Sequence, residues 1–410
     1  MTGAAGKMAF SPTRAAARRL SVLALNAGSS SIRFTLFQEK MERGLSGKIE
    51  RIGLAGSALR FRAFPQAGLE EEKVAAPDHK TAAAHLIEWL DQRAGFGAIQ
   101  AVGHRIVHGG VNNFEPRLVT AELVAELKRI SPFDPEHMPG EIGLMETLRE
   151  RFPELPQVAC FDTGFHQHLP RVAQLLPIPR RFFEKGIRRY GFHGISYSFL
   201  MEEVRRLCGD EAAAGRMILA HLGNGASLAA VHGGKCIDTS MAFTPTAGIP
   251  MSTRSGDLDP GLVWFLAQTE QMTPQQFHQM VNRESGLLGI SETSSDMRDL
   301  VARQSQDERA AEAVAIFCYQ VRKWIGSFAA ALGGLDLVVF SGGIGENGPE
   351  VRSQICDKLG FLGIEIDSER NRENAPVISR EGSRVPVRVI RTDEEWMIAK
   401  AVLGVLKSCC

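Results

Sequence analysis

Residues 217–235 read MILAHLGNGASLAAVHGGK, and residues 20–38 read LSVLALNAGSSSIRFTLFQ. Each is an apolar run of strand length, a turn of small polar residues, and a second apolar run. The two stretches lie about 200 residues apart, far beyond the period of a solenoid. The shared pattern predicts two halves built alike, each opening on a strand–turn–strand unit. Between and after them, strands alternate with helices. TAAAHLIEWLDQRAG reads as a helix, and AIQAVGHRIVHGG as a strand running into a loop. Residues 120–130 and 139–151 read as helices on either side of SPFDPEHMP, and QVACFDTGFH as a short buried strand ending in a polar loop. Helices are expected around 260–269, 274–283 and 307–332, and strands at DLVVF, IEID and PVRVIR. PEVRSQICDKLG has Pro at its start and Gly at its end, the asymmetry of a helix, and DEEWMIAKAVLGVL closes the chain as an amphipathic helix. Alternation of this kind indicates an α/β architecture.

The chain has 410 residues, 44% of them hydrophobic and 23% charged. That supports two folded domains and excludes a mainly disordered chain. Lys+Arg and Asp+Glu both number 47, so no global field draws the protein to nucleic acid or to a membrane surface. The seven cysteines are odd in number and include no C-x-x-C, which fits a reducing cytoplasm. No apolar run approaches the roughly 18 residues of a membrane span. Acidic residues are absent before Glu39, and Arg14, Arg18 and Arg19 precede the first apolar run. That run is too short for a signal core, so residues 1–19 are expected to be a disordered extension.

Three Gly-rich turns follow apolar strands: Asn26–Ser31, His221–Gly225 and Gly342–Gly348. Such turns present backbone N–H groups that suit phosphate oxygens. One alone is no more than a tight hairpin. Three at strand ends point to a polyphosphate ligand. No G-x-x-x-x-G-K-[ST] occurs, so the device is not a P-loop. Gly343, Gly345 and Gly348 do form a G-x-G-x-x-G, with Asp367 further on, so a dinucleotide site is an alternative reading. Arg105 in GHRIVHGG and Arg254 in STRSGD are boxed by Gly, His and Ser. Guanidinium matches carboxylate or phosphate oxygens bidentately. His193 in YGFHGIS and His221 are similarly placed. His104 and His108 have no Glu between them and precede Gly109-Gly110, which argues against a zinc helix. Asp162 ends a strand, where functional carboxylates of α/β proteins sit. Glu394 and Glu395 at a helix start, and Asp296 before Arg298, are residues that dipole and capping effects alone would favour.

Taken together, LALNAGSSSIRFTLF, GHRIVHGG, FDTGFHQHLP, GIRRYGFHGIS, HLGNGASLAAV, DTSMAFTPTAGIPMSTRSGDLDP, ESGLLGISETSSDMRD, VVFSGGIGEN and TDEEWMIA run in order through residues 20–402. With these blocks the chain resembles the acetate/propionate kinase family, in the superfamily of acetokinases, sugar kinases, heat-shock chaperones and actin. The resemblance implies two actin-like (ribonuclease H-like) α/β domains with ATP in the interdomain cleft. Residues 20–164 plus 397–410 would form the first domain and 165–396 the second. It implies reversible transfer of the ATP γ-phosphoryl group to acetate, giving acetyl phosphate and ADP, with propionate also used. A propionate- or butyrate-preferring kinase is the nearest alternative. A nicotinamide-type oxidoreductase and a non-catalytic ATP-binding member of the actin-like class are more distant ones.

By the same resemblance, Asp162, His193 and Arg254 would be catalytic. Arg105 would hold the substrate carboxylate, against an apolar wall of Val107, Phe133, Phe192 and Pro245. ATP would lie along Asn26, Arg33 and the run His221, Leu222, Gly223, Asn224 and Gly225. Its adenosine side would meet Asp296, Met297 and Arg298, and then Gly343, Ile344, Gly345, Glu346 and Asn347. Mg²⁺, with Mn²⁺ as an alternative, would be supported by Asn26 and Glu394. A cytoplasmic homodimer is expected, with small-molecule substrates and neither nucleic acid nor membrane as partner. The chain departs from the family at Arg33, where lysine is usual. In SPFDPEHMP, Asp134 stands where a histidine is usual and His137 follows, and Phe133 replaces a leucine. Ile195 and Tyr197 depart in GFHGISY.

A carboxylate is already ionised at pH 7 and needs no general base. What opposes reaction is the approach of an anion to a polyanion. Two unit charges 4 Å apart repel by about 4 kcal/mol at an effective dielectric near 20. Cations should therefore dominate the site.

Overall fold

Val22–Gly28 (β1) and Ser31–Phe37 (β2) pair antiparallel from Val22↔Phe37 to Gly28↔Ser31, so the first apolar–turn–apolar stretch is a hairpin. The computed structural model describes residues 21–28, 30–65 and 68–408. The extension expected at residues 1–19 lies outside them. Two compact units are present. One comprises the described residues up to Ile106, Glu115–Cys160 and those from Glu395 on; the other comprises Val107–Phe114 and Phe161–Glu394.

The first unit continues with Arg43–Glu50 (β3), Ala58–Ala63 (β4), Glu70–Lys73 (β5), Ala101–Ile106 (β6) and Arg117–Leu118 (β7), and Gln157–Phe161 (β8) completes its sheet. The strand order is β5-β4-β3-β2-β1-β6-β8-β7. The second unit carries Met217–Leu222 (β9), Ala226–His232 (β10), Lys235–Thr239 (β11), Leu337–Ser341 (β12) and Val387–Val389 (β13), in the order β11-β10-β9-β12-β13. The orders β3-β2-β1-β6-β8 and β11-β10-β9-β12-β13 correspond. In both, an antiparallel three-strand meander is followed by a parallel partner on the far side of its first strand. The repeated strand–turn–strand pattern thus marks two sheets of like topology.

Helices cover these sheets because their apolar stripes need burial. Asp78 caps His79–Ala94 by accepting from the Thr81 N–H, and Leu86, Ile87 and Leu90 face the core of the first unit. There Trp89 meets the edges of Phe34 and Phe61 at 5.7 and 4.7 Å between ring centroids. In the second unit Asp307 caps the long helix Glu308–Leu332, and Gly333 ends it in the left-handed conformation. Two expectations differ from the structure. Ile364–Asp367 forms only a single bridge, Ile366 to Ser379, and no strand. Residues 342–347 form a turn of helix where a Gly-rich loop is expected. No described helix is long and apolar enough to cross a membrane.

Candidate active site

In the second unit, His193 is the residue on which the site turns. It stands at the N-terminus of the helix Gly194–Ala214 with φ 59° and ψ 23°, a left-handed conformation uncommon for a side-chain-bearing residue. Two contacts hold it there. The Gly194 N–H donates to the Asp162 carbonyl at 2.9 Å, and a Cβ on Gly194 would sit only 2.0 Å from that oxygen. On the other side, His166 Nε2 donates to the Phe192 carbonyl at 3.0 Å. Burial pushes His166 down to about 4, so its ring is neutral at pH 7 and keeps this tautomer.

So fixed, the His193 ring stacks on His221 from the end of β9, with centroids 4.4 Å apart. Its Nδ1 lies 2.9 Å from Ser227 Oγ on β10. His221 Nδ1 is 2.8 Å from Ser196 Oγ, which is itself 2.8 Å from Thr392 Oγ1. Arg254 reaches the same place: its Nη1 donates to the Pro245 carbonyl at 3.3 Å, and a Cβ on Gly225 would lie 3.1 Å from His193 Nε2 and 3.5 Å from Arg254 Nη1. His221, Gly225, His193 and Arg254 therefore gather around one turn. Asp162 is buried one residue beyond β8. Val107 and Phe192 are buried, with Phe192 against the ring of His108, and Pro245 is buried beside Arg254.

The Gly342–Asn347 helical turn begins against the end of β9. Gly342 has φ 75°, and a Cβ there would be 2.6 Å from the Leu222 carbonyl. Glu346 explains why this glycine-rich segment coils. Its Oε1 accepts from the Gly342 N–H at 3.0 Å and the Thr392 N–H at 3.1 Å, and Asn347 Nδ2 donates to the Gly343 carbonyl. Gly343 faces open space, whereas Gly345 is buried and Ile344 half-buried. Beneath the turn, buried Arg352 donates to the Gly345 and Asn371 carbonyls and to the Asn371 and Asn374 side chains. Burial lowers Arg352 to about 10, which leaves it charged at pH 7. Asp296 caps the helix Met297–Arg303 and takes both Nε and Nη2 of Arg298, which holds its carboxyl below the usual range; Met297 is buried.

The first unit gathers a second set. Asn26 on β1 pairs with Arg33 on β2, and the register that pairs Leu25 with His104 brings Asn26 beside Arg105 on β6. Arg33, Asn26 and Arg105 thus form a row across three neighbouring strands. Arg105 Nη1 donates to the Ala27 carbonyl at 3.2 Å and to Glu141 Oε1 at 3.1 Å. Glu141, in the first turn of the helix Met138–Arg151, is almost fully buried. Just before it, His137 Nδ1 and Asp134 Oδ1 are 2.8 Å apart, both buried, and Phe133 is half-buried in the turn Ser131–Phe133.

Comparison with known proteins decides the lineage. The model of the Acetokinase family matches residues 21–400. The chain is 42% identical over 390 residues to a propionate kinase of Citrobacter rodentium, covering 94% of this chain and 96% of that one. It is 42% identical over 397 residues to an acetate kinase of Methylocella silvestris, covering 94% and 98%. Its fold matches the crystal structure of Porphyromonas gingivalis acetate kinase with a TM-score of 0.85 and 36% identity, covering 94% of this chain and all of that one. The chain belongs to the acetokinase family. That membership bears out the expectation of a two-domain actin-like α/β fold and of a phosphotransferase that uses ATP and a carboxyl acceptor.

Among the described residues no group of three or more His, Cys, Asp or Glu could cage a metal. Glu394 is the first residue of the helix Glu394–Ser408 and Asn26 lies on β1; each side chain carries oxygen of the kind a hard divalent ion takes. Sequence reading did not single out Glu141, Ser227, Ser196 or Thr392. Nothing local marks Glu141 or Ser227. Ser196 has a faint signal, three residues after His193 on the helix that His193 opens.

Proposed function

We propose that the chain transfers the γ-phosphoryl group of ATP to acetate, reversibly, giving acetyl phosphate and ADP, with propionate as a second substrate. A carboxylate oxygen attacks Pγ, a new O–P bond forms, and the bond from Pγ to the bridging oxygen breaks. ADP leaves with that electron pair, and no proton has to move. The chain's task is to gather positive charge and hydrogen-bond donors and to hold the reactants in line. The observation that carries this reading is the convergence of His193 Nε2 and Arg254 Nη1 at Gly225.

Arg105 would hold the acetate carboxylate, pinned by Glu141, with Val107, Phe133, Phe192 and Pro245 around the methyl group. Arg254 and His193 would take the transferring phosphoryl. Asp162 would orient an arginine or a water. Asn26, Arg33 and His221–Gly225 would line the phosphates. The adenosine side would fall to Asp296, Met297, Arg298, and the residues Gly343–Asn347. Mg²⁺, or Mn²⁺ in its place, would be supported by Asn26 and Glu394 and would neutralise charge on the β- and γ-phosphates.

The chain would act in the cytoplasm, in keeping with Cys160, Cys208, Cys236, Cys318 and Cys356 standing as free thiols. It would do so as a homodimer. The helix Gly261–Thr269 buries none of its residues, and Trp264 and Phe265 are 72% and 59% exposed. Ile316 and Tyr319 on the helix Glu308–Leu332 are exposed too. Exposed apolar surface on this scale marks an interaction site.

The test is Mg-ATP turnover with formate, acetate, propionate and butyrate, trapping the acyl phosphate as its hydroxamate. Hydroxamate with acetate at the highest kcat/KM is the expected outcome. A peak at butyrate, or none with any acid, overturns it.

A further inference from the structure

The Tyr197 hydroxyl lies 2.6 Å from Ser227 Oγ, and Ser227 Oγ lies 2.9 Å from His193 Nδ1. Tyr197 and Ser227 are both fully buried. Tyr197 stands one helical turn after His193, which brings its hydroxyl back under the imidazole.

The direction of this chain follows from counting protons. The Tyr197 hydroxyl has one proton to donate. Burial pushes the phenol above its ordinary range, so it keeps its proton at neutral pH. Among the described residues, Ser227 Oγ is the acceptor within reach of that proton. A buried hydroxyl that donates to nothing costs about 1–3 kcal/mol. Tyr197 therefore donates to Ser227. The Ser227 proton is then turned toward His193 Nδ1, which must accept it. A neutral imidazole that accepts at Nδ1 carries its hydrogen on Nε2. Nε2 is the atom that faces Gly225 and Arg254. A hydrogen on Nδ1 would strand a buried proton, that of Tyr197 if Ser227 turned toward the phenol or that of Ser227 if it accepted from both neighbours, and would present a lone pair to an incoming anion.

We propose that Tyr197 and Ser227 are positioning residues that set His193 as its Nε2–H tautomer, so that a neutral histidine offers an N–H donor to the phosphoryl oxygens in flight. This rests on the reading of His193 as a residue of the phosphoryl-transfer site. His193 keeps its proton throughout. The relay stores the orientation of a donor before substrate arrives, which spares reorganisation in the transition state.

The test is long-range ¹H–¹⁵N spectroscopy of histidine-labelled full-length protein, with His193→Ala used to assign the His193 signals. Ser227→Ala and Tyr197→Phe are then compared with wild type, alongside turnover. Wild type is expected to show one Nε2–H tautomer. Ser227→Ala should give mixed tautomers, with kcat down roughly ten- to a hundredfold, the scale typical of partners behind a site residue. KM for ATP and for acetate should stay within about twofold, because a relay serves the transition state and not binding. Tyr197→Phe, which removes one buried oxygen and keeps the ring, should show the same change more weakly and carries the test if Ser227→Ala does not fold. A folded variant with a wild-type His193 spectrum and wild-type kcat overturns the relay. If His193→Ala itself retains wild-type kcat, the assignment of His193 to the site has failed instead.

Discussion

His193 Nε2 and Arg254 Nη1 close on the same point above Gly225, 3.1 and 3.5 Å from where a Cβ would stand. A donor and a cation thus stand near one position of phosphate size. Gly225→Ala places a methyl group at that point without touching the backbone ladder between β9 and β10. The expected outcome is kcat lower by about a hundredfold, comparable to losing one preorganised donor, with unchanged thermal stability. Arg254→Ala should lose about 10³ or more, the scale of arginine fingers. Steady-state assays with circular dichroism on both variants decide. A Gly225→Ala enzyme within threefold of wild type refutes the geometry.

Arg105 poses a different problem, because its side chain is 13% exposed and that of its partner Glu141 only 1%. Removing the carboxylate outright would leave a charge with a lost partner in the interior, a loss of about 3–5 kcal/mol. Glu141→Gln keeps a hydrogen-bond acceptor and removes only the charge. Arg105 should then be held less firmly. KM for acetate is expected to rise about tenfold, within the worth of a charge-assisted hydrogen bond, while KM for ATP stays put. A parallel rise in both would show that Glu141 supports the fold and not the carboxylate site.

Phe133 lies half-buried in the short turn that leads toward Glu141. Phe133→Leu should enlarge the acyl pocket. One methylene is worth about 1–3 kcal/mol in such a pocket. The ratio of kcat/KM for propionate over acetate is therefore expected to rise, by up to about a hundredfold. An unchanged ratio would remove Phe133 from the pocket wall.

These sites differ in how plainly the sequence shows them. The hairpins at β1–β2 and β9–β10 are legible because period and turn chemistry are local. Arg105, His193 and Arg254 stand out because glycines and small residues crowd them, and the structure uses those glycines: Gly194 against Asp162, and Gly225 against His193 and Arg254. Glu141 and Ser227 are invisible locally. They meet Arg105 and His193 across 36 and 34 residues of chain, and only the assembled sheets set those distances. The helical turn at Gly342–Asn347 is hidden for the opposite reason. Each glycine disfavours helix by about 1 kcal/mol relative to alanine, so local propensity predicts a loop. The Glu346 carboxylate offsets this through the Gly342 N–H and the Thr392 N–H, the latter 46 residues on.

Trp264 sits 72% exposed on a helix that buries none of its own residues. If the proposed homodimer forms through this face, Trp264→Glu should leave a monomer at micromolar concentration. Sedimentation velocity reads this directly. A wild-type chain that sediments as monomer would sink the proposed dimer.

Two buried histidines add to the acid sensitivity of the fold. His104 Nε2 donates to Gln157 Oε1 at 2.8 Å, and His166 bridges Cys236 and the Phe192 carbonyl. Burial pushes each from the usual 6.5 down to about 4. Between these values the unfolded chain binds protons that the folded chain refuses. The stability each contributes is complete above pH 6.5, falls as the pH drops and is gone near pH 4. The slope is at most about 1.4 kcal/mol per pH unit for each group. His104→Gln should be less stable than wild type at pH 7, because it repacks a buried strand residue. Its stability should nonetheless fall less steeply between pH 6.5 and 4, since one of the two proton differences is gone. Denaturant unfolding at half-unit pH steps measures both curves, and parallel curves would show that His104 does not titrate on unfolding.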